Sequence, residues 1–169
     1  MKRIFACVLA AALLLCGCGN SNNDKKDKGG ADKGNADKAA IVLNDTTLKV
    51  GDELTKEMKK SLGDPDEITE SPNCVHDGAV YEYVYDGFTL QVNQQGDKDI
   101  LLLATITDAA YATADGIQIG DTAESVKEAY GEPDEGNDYY VVYDLSDTVC
   151  LTFELEDGKV AVILYETAV

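Results

Sequence analysis

The chain is 169 residues long and strongly acidic: 32 Asp and Glu oppose 14 Lys and Arg, for a formal charge of −18, with one histidine and no tryptophan. That balance excludes phosphate recognition, which needs clustered cations to release counterions, and so argues against nucleic acid as a partner. It equally excludes docking on anionic lipid headgroups, and leaves two readings of the charge, solubility alone or steering of a basic partner.

In chain order, Lys2 and Arg3 give a positive start, Ile4 to Leu15 an apolar run, and Gly17 a small residue suited to signal cleavage. The run is about a dozen residues, short of the roughly 20 that cross a bilayer as a helix, so it reads as an export signal that is removed. Leu15-Cys16-Gly17-Cys18 resembles the lipobox of bacterial lipoproteins, with an aliphatic residue at −3, a small residue at −1 and then the lipidated cysteine. Cys16 fits that slot worse, because Leu15 would occupy the small position. The resemblance implies a signal peptide over 1–17, cleavage before Cys18 and a diacylglyceryl thioether on it. The expected location is therefore extracytoplasmic, lipid-anchored to the bacterial cell membrane. One acyl chain binds marginally at ~0.8 kcal/mol per methylene, whereas two or three hold stably. Loss of Lys2 and Arg3 with the leader leaves 12 cationic against 32 acidic residues, a charge of −20 and no arginine.

Residues 18–40 form the next unit, the lipidated cysteine and a tether of Asn, Asp, Lys, Gly and Ala without a large apolar side chain. Such a composition buries no core and is expected to be disordered, with an r.m.s. reach of roughly 25 Å for about 20 residues. Two further cysteines, Cys74 and Cys150, fall in the remainder. An extracytoplasmic setting permits a disulfide between them, worth on the order of 4 kcal/mol for a long loop. Two buried thiols are the alternative, and spacing does not decide between them.

Residues 41–169 are self-similar. Gly51-Asp52-Glu53 opens a helical pattern of Leu54, Met58 and Leu62 that closes on Gly63 and Pro65, and Gly120-Asp121-Thr122 opens Ala123, Val126 and Tyr130, closing on Gly131 and Pro133. Asp52 and Asp121 are the expected N-caps, and Gly63 and Gly131 the expected left-handed C′ residues. Three strand-like runs follow each helix: Val80–Tyr85, Phe88–Asn93 and Ile100–Ile106, then Tyr139–Tyr143, Val149–Leu155 and Val160–Tyr165. Alternation such as Phe88, Leu90, Val92 against Thr89, Gln91, Asn93 predicts antiparallel strands covered on one side. Gln95-Gly96-Asp97 and Asp157-Gly158 read as hairpin turns. One helix and three strands bury too little alone, so the halves must share a core. The expected fold is α+β: two tandem helix-plus-three-strand repeats, about 41–108 and 109–169, forming one curved antiparallel sheet with the helices on one face.

The run from Gly120-Asp121-Thr122 through Val126, Tyr130-Gly131-Glu132-Pro133, Tyr140-Val141-Val142-Tyr143 and Leu151-Thr152-Phe153 to Asp157-Gly158-Lys159-Val160 resembles the repeat of the SmpA/OmlA outer-membrane assembly lipoproteins and of the β-lactamase inhibitory protein. The first half departs from it at Glu53 and Leu62 and in a longer loop holding Pro72, Cys74 and His76. The resemblance implies a protein-binding module, either an inhibitor or an envelope-assembly accessory, using a sheet face rich in aromatics. Tyr81, Tyr83, Tyr85, Tyr139 and Tyr143 are then the candidate partner-binding residues, with a basic protein or a cell-wall enzyme as partner. The same tyrosine stripe equally suits a helix-covered core.

For catalysis there is little material. His76 is the sole histidine and no serine or cysteine sits in a nucleophile motif, although Cys74 and His76, two apart, share a face of an extended segment. Asp64-Pro65-Asp66-Glu67 and Glu132 to Asp138 supply hard oxygens without the spacing of a calcium loop. The expectation is a non-enzymatic module with no metal or cofactor, against the alternatives of a cryptic cell-envelope hydrolase or a purely structural envelope lipoprotein.

Overall fold

A computed structural model of the chain describes residues 38–71, 78–167. The export signal, Cys18, the tether to Asp37, Cys74 and His76 lie outside the described residues. Among the described residues no helix is long and apolar enough to cross a membrane.

The structure is mostly β. Two three-residue strands, β1 (Ile41–Leu43) and β2 (Thr46–Leu48), form a hairpin of their own. Helix α1 (Lys56–Leu62) precedes β3 (Glu67–Ser71), β4 (Ala79–Tyr85), β5 (Phe88–Gln95) and β6 (Lys98–Ile106), and helix α2 (Ala123–Tyr130) precedes β7 (Glu135–Gly136), β8 (Tyr140–Ser146), β9 (Val149–Glu156) and β10 (Lys159–Thr167). One antiparallel sheet takes eight strands in the order β3-β4-β5-β6-β10-β9-β8-β7. The expected two helix-plus-three-strand repeats are therefore corrected. Each short helix is followed by four strands, and the sheet, with its separate hairpin, dominates the α content. The additional strands, β3 and β7, are the two sheet edges, where side chains are mostly exposed and the apolar alternation of a half-buried strand is lost.

The two helix starts also differ from expectation. Thr55 and Thr122 cap the helices, their side chains accepting the N–H of Met58 and Ser125, each at 3.2 Å. Asp52 and Asp121 serve the sheet instead. Gly51 N–H donates to Leu101 O and Leu101 N–H to Asp52 O (2.7 and 3.0 Å), and the same bracket joins Gly120 to Val160 O and Val160 to Asp121 O, both at 2.8 Å. Each Gly-Asp pair thus pins its helix start to the last strand of its own half. At the far ends Gly63 and Gly131 have φ of +90° and +91°, but ψ is extended (−176° and −159°), a region open essentially to glycine and distinct from the left-handed C′ geometry.

Both helices pack on one sheet face. Across it runs an unbroken row in register, Tyr143, Leu151, Tyr165, Ala104, Leu90, Tyr83 and Ile68. A parallel row runs Val141, Phe153, Ile163, Ile106, Phe88 and Tyr85. Leu54, Leu62 and Val126 cover these rows from the helix side, with Ile41, Leu43, Leu48 and Val50 of the β1–β2 region in the same core. Each such side chain, fully buried, contributes about 1.5–3 kcal/mol. Ala39 is also buried, and Lys38 is held beside Asp115 (2.9 Å), on Ala129 O (3.2 Å) and over the Tyr130 ring (4.7 Å). The packed domain therefore begins by Lys38.

Candidate functional site

Register decides where the tyrosines go. Tyr81, Tyr83 and Tyr85 lie opposite Val92, Leu90 and Phe88, on the helix-covered side. Tyr85 is buried and stacks on Phe88 with centroids 4.5 Å apart. Tyr143 is buried against Tyr130 and Phe153 and donates its hydroxyl to Gly131 O at 3.1 Å. Tyr81 and Tyr83 are half-buried, Tyr83 packing on the core. The stripe is thus core and core margin, and the five tyrosines do not form one exposed patch. Burial raises the phenol pKa of Tyr85 and of Tyr143, as expected of rings whose hydroxyls have left water.

Tyr139 is the exception, at 76% exposure. It sits on the turn joining β7 to β8, and that turn is over-determined. The Asn137 side-chain oxygen accepts the N–H of Tyr139 (2.8 Å) and of Tyr140 (3.2 Å), while Asn137 N–H donates to Tyr140 O at 2.8 Å. Leu155 N–H donates to Tyr139 O at 2.7 Å, fastening the turn to β9. Asp134 bridges the base of the hairpin, its carboxylate accepting Asp144 N–H (2.9 Å) and its own N–H reaching Val142 O (2.9 Å). A Cβ on Gly136 would stand 2.9 Å from Tyr140 O, so no larger residue fits there without a shift. In sequence the same segment carries Glu132, Asp134, Glu135 and Asp138. Of these, Glu132 pairs with Lys127 at 2.8 Å and Glu135 accepts the Tyr140 hydroxyl at 3.2 Å, a bond that raises the Tyr140 pKa. An exposed aromatic on a fixed hairpin within an acidic segment suits a cation: the ring face attracts it and the segment's acids match its charge.

The other sheet face meets no described helix. In register across it lie Asp144, Cys150, Glu166, Leu103, Gln91 and Glu82, and beside them Val142, Thr152, Leu164, Thr105, Thr89 and Val84. Cys150 and Thr152 are buried, and Cys150 donates its thiol to Asp144 Oδ1 at 3.3 Å. Glu166 is half-buried, and desolvation raises its pKa. The Cys74–Cys150 pairing falls partly on a residue outside the described ones.

Elsewhere, Lys59 of α1 forms an ion pair with Asp99 and lies 3.4 Å from the Tyr83 hydroxyl. Burial pulls the ammonium pKa down, but the Asp99 carboxylate and Tyr83 outweigh it and hold it above its ordinary value. The pair ties α1 to β6. A depression between β2, the start of α1 and β6 is lined by the apolar Leu48, Leu54, Met58 and Leu101 together with Thr47, Lys49, Asp52 and Glu53. Among the described residues no three His, Cys, Asp or Glu side chains converge as a metal site, the two acidic stretches included. By sequence Tyr139 is one of five candidate tyrosines. The signal that singles it out is the Asn137-Asp138 turn chemistry just ahead of it. Comparison with family models, curated proteins and solved structures gave no match to this chain.

Proposed function

We propose that the chain is a membrane-anchored, extracytoplasmic lipoprotein that acts as a protein-binding module, with the β7–β8 hairpin as its recognition element and a basic protein surface as its target. The observation that carries this reading is Tyr139, 76% exposed on a turn fixed by Asn137 and flanked by carboxylates. A rigid aromatic anchor spends little conformational entropy on binding, and such residues dominate interface energetics. The net charge steers a cationic partner from a distance. The lipobox-like match at Cys18 supports the anchor, and the resemblance to assembly lipoproteins and to the β-lactamase inhibitory protein supports an accessory or inhibitor role.

Capture of envelope proteins by the full chain, at low and at high salt, tests the reading against a Tyr139→Ala chain. The specific partner should be basic, weaken as salt screens the charge, and lose at least about 2 kcal/mol with Tyr139→Ala, the range of an interface hot spot. A partner whose capture ignores both salt and Tyr139 would refute it. Metabolic labelling with a palmitate analogue tests the anchor: the parent should be marked and Cys18→Ala should not, and equal labelling of both would remove the lipid attachment.

A further inference from the structure

The core row that starts at Tyr143 does not stop inside the protein. It passes through Leu151, Tyr165, Ala104, Leu90 and Tyr83 to Ile68, which stands 54% exposed on the last strand, β3. Among the described residues β3 is one outer edge of the sheet, five residues long and in unbroken register with β4, whereas the other edge, β7, has two residues. An edge strand presents unpaired backbone N–H and C=O groups, which proteins commonly blunt with proline, charged side chains or a bulge. Within Glu67-Ile68-Thr69-Glu70-Ser71 there is neither proline nor bulge, and the charges present, Glu67 and Glu70, are both acidic, which turns away a like-charged strand and admits a cationic one.

Charge decides what fits. Glu67 and Glu70 lie on β3, Asp64 and Asp66 just before it, and Glu82 opposite Thr69, while neither β3 nor β4 carries a lysine or arginine. A second copy pairing on this edge would set like charges side by side, which is destabilising. We propose that β3 is a strand acceptor for an extended segment of another protein that alternates apolar and cationic side chains. Backbone hydrogen bonds supply the pairing, an apolar side chain seated beside Ile68 carries the core row one strand further, and lysine or arginine, on the other face with Thr69 and Glu82, meets Glu67. This edge is at the opposite end of the sheet from Tyr139 and does not rest on the hairpin reading.

The test is a titration of the ¹⁵N-labelled full chain in detergent with a short synthetic peptide alternating lysine and valine, and with its counterpart alternating glutamate and valine. The lysine peptide should shift the amides of 67–71 and slow exchange of those facing outward. Its affinity should fall at least about tenfold in Ile68→Asp, a change that the exposed position tolerates, and stay unchanged in Tyr139→Ala. Shifts confined to other parts of the chain, no binding, equal binding of the glutamate peptide, or an Ile68→Asp chain that binds like the parent would each overturn the proposal.

Discussion

The side-chain oxygen of Asn137 accepts the backbone N–H of Tyr139 at 2.8 Å, and this bond fixes where the most exposed aromatic ring of the described chain is held. The same oxygen takes the N–H of Tyr140, so one side chain closes the whole turn. Asn137→Ala should cost about 1 kcal/mol of stability, the net worth of a hydrogen bond of this kind. Hydrogen exchange should show the amides of Tyr139 and Tyr140 opening faster, with partner capture reduced more than the small stability change explains. Unaltered exchange at both amides would show that the turn does not depend on Asn137.

Thr122 and Asp121 stand side by side at the start of α2 but hold different things, the first a helix N–H and the second the N–H of Gln118 at 2.8 Å. Thr122→Ala should therefore cost about 0.5–2 kcal/mol through the cap, with faster exchange at Ser125. Asp121→Ala should leave Ser125 protected and loosen Gln118. Urea denaturation with residue-resolved exchange separates the two, and the reverse pattern would restore Asp121 as the cap.

Lys59 and Asp99 tie α1 to β6, and both are partly buried. Lys59→Met strands the carboxylate and should cost about 1–3 kcal/mol, while the double change with Asp99→Leu should recover part of the loss. Because the Lys59 pKa is raised in the folded state, its contribution is fully present below the unfolded value of 10.5 and lost as pH rises through the folded one. Denaturation midpoints of parent and Lys59→Met should accordingly converge in strong alkali. A constant gap across that range would contradict the assignment.

Glu166 has the opposite consequence for stability at neutral pH. Burial raises its pKa above the ordinary 4.5, so the folded state binds its proton more tightly than the unfolded chain does. Stability linked to that proton is present below the unfolded value and lost as pH rises through the folded one. Glu166→Gln, which mimics the protonated form, should thus be more stable than the parent at pH 7, and the advantage should shrink toward pH 4.5. A variant less stable than the parent at neutral pH would show that the carboxylate makes favourable contacts there.

The central strands were legible because Phe88, Leu90 and Val92 alternate with polar neighbours, the pattern of a half-buried strand; Leu151 and Phe153 alternate likewise in sequence, although β9 is buried on both faces from Val149 to Phe153. β3 was not, since an edge strand with only Ile68 as an apolar residue has nothing to alternate. The β1–β2 hairpin escaped because its strands are three residues each, although Asn44 and Asp45, both at positive φ, are the turn chemistry that announces it. Asp52 and Asp121 looked like caps by residue type, but the backbone bracket to Leu101 and Val160 keeps the chain extended until Thr55 and Thr122. As for the candidate site, period two places Tyr81, Tyr83 and Tyr85 on one face without saying which face the helices cover. Only the packing of Lys59 against Tyr83, and of Tyr130 against Tyr143, shows that it is theirs.

The most direct test of the binding account replaces Tyr139 by a photo-cross-linking phenylalanine analogue in the full chain and irradiates living cells. The account predicts one discrete adduct to a protein with a basic surface, weakened when Asp134, Glu135 and Asp138 are changed to their amides. No adduct at position 139, or a diffuse set indifferent to those carboxylates, would contradict it.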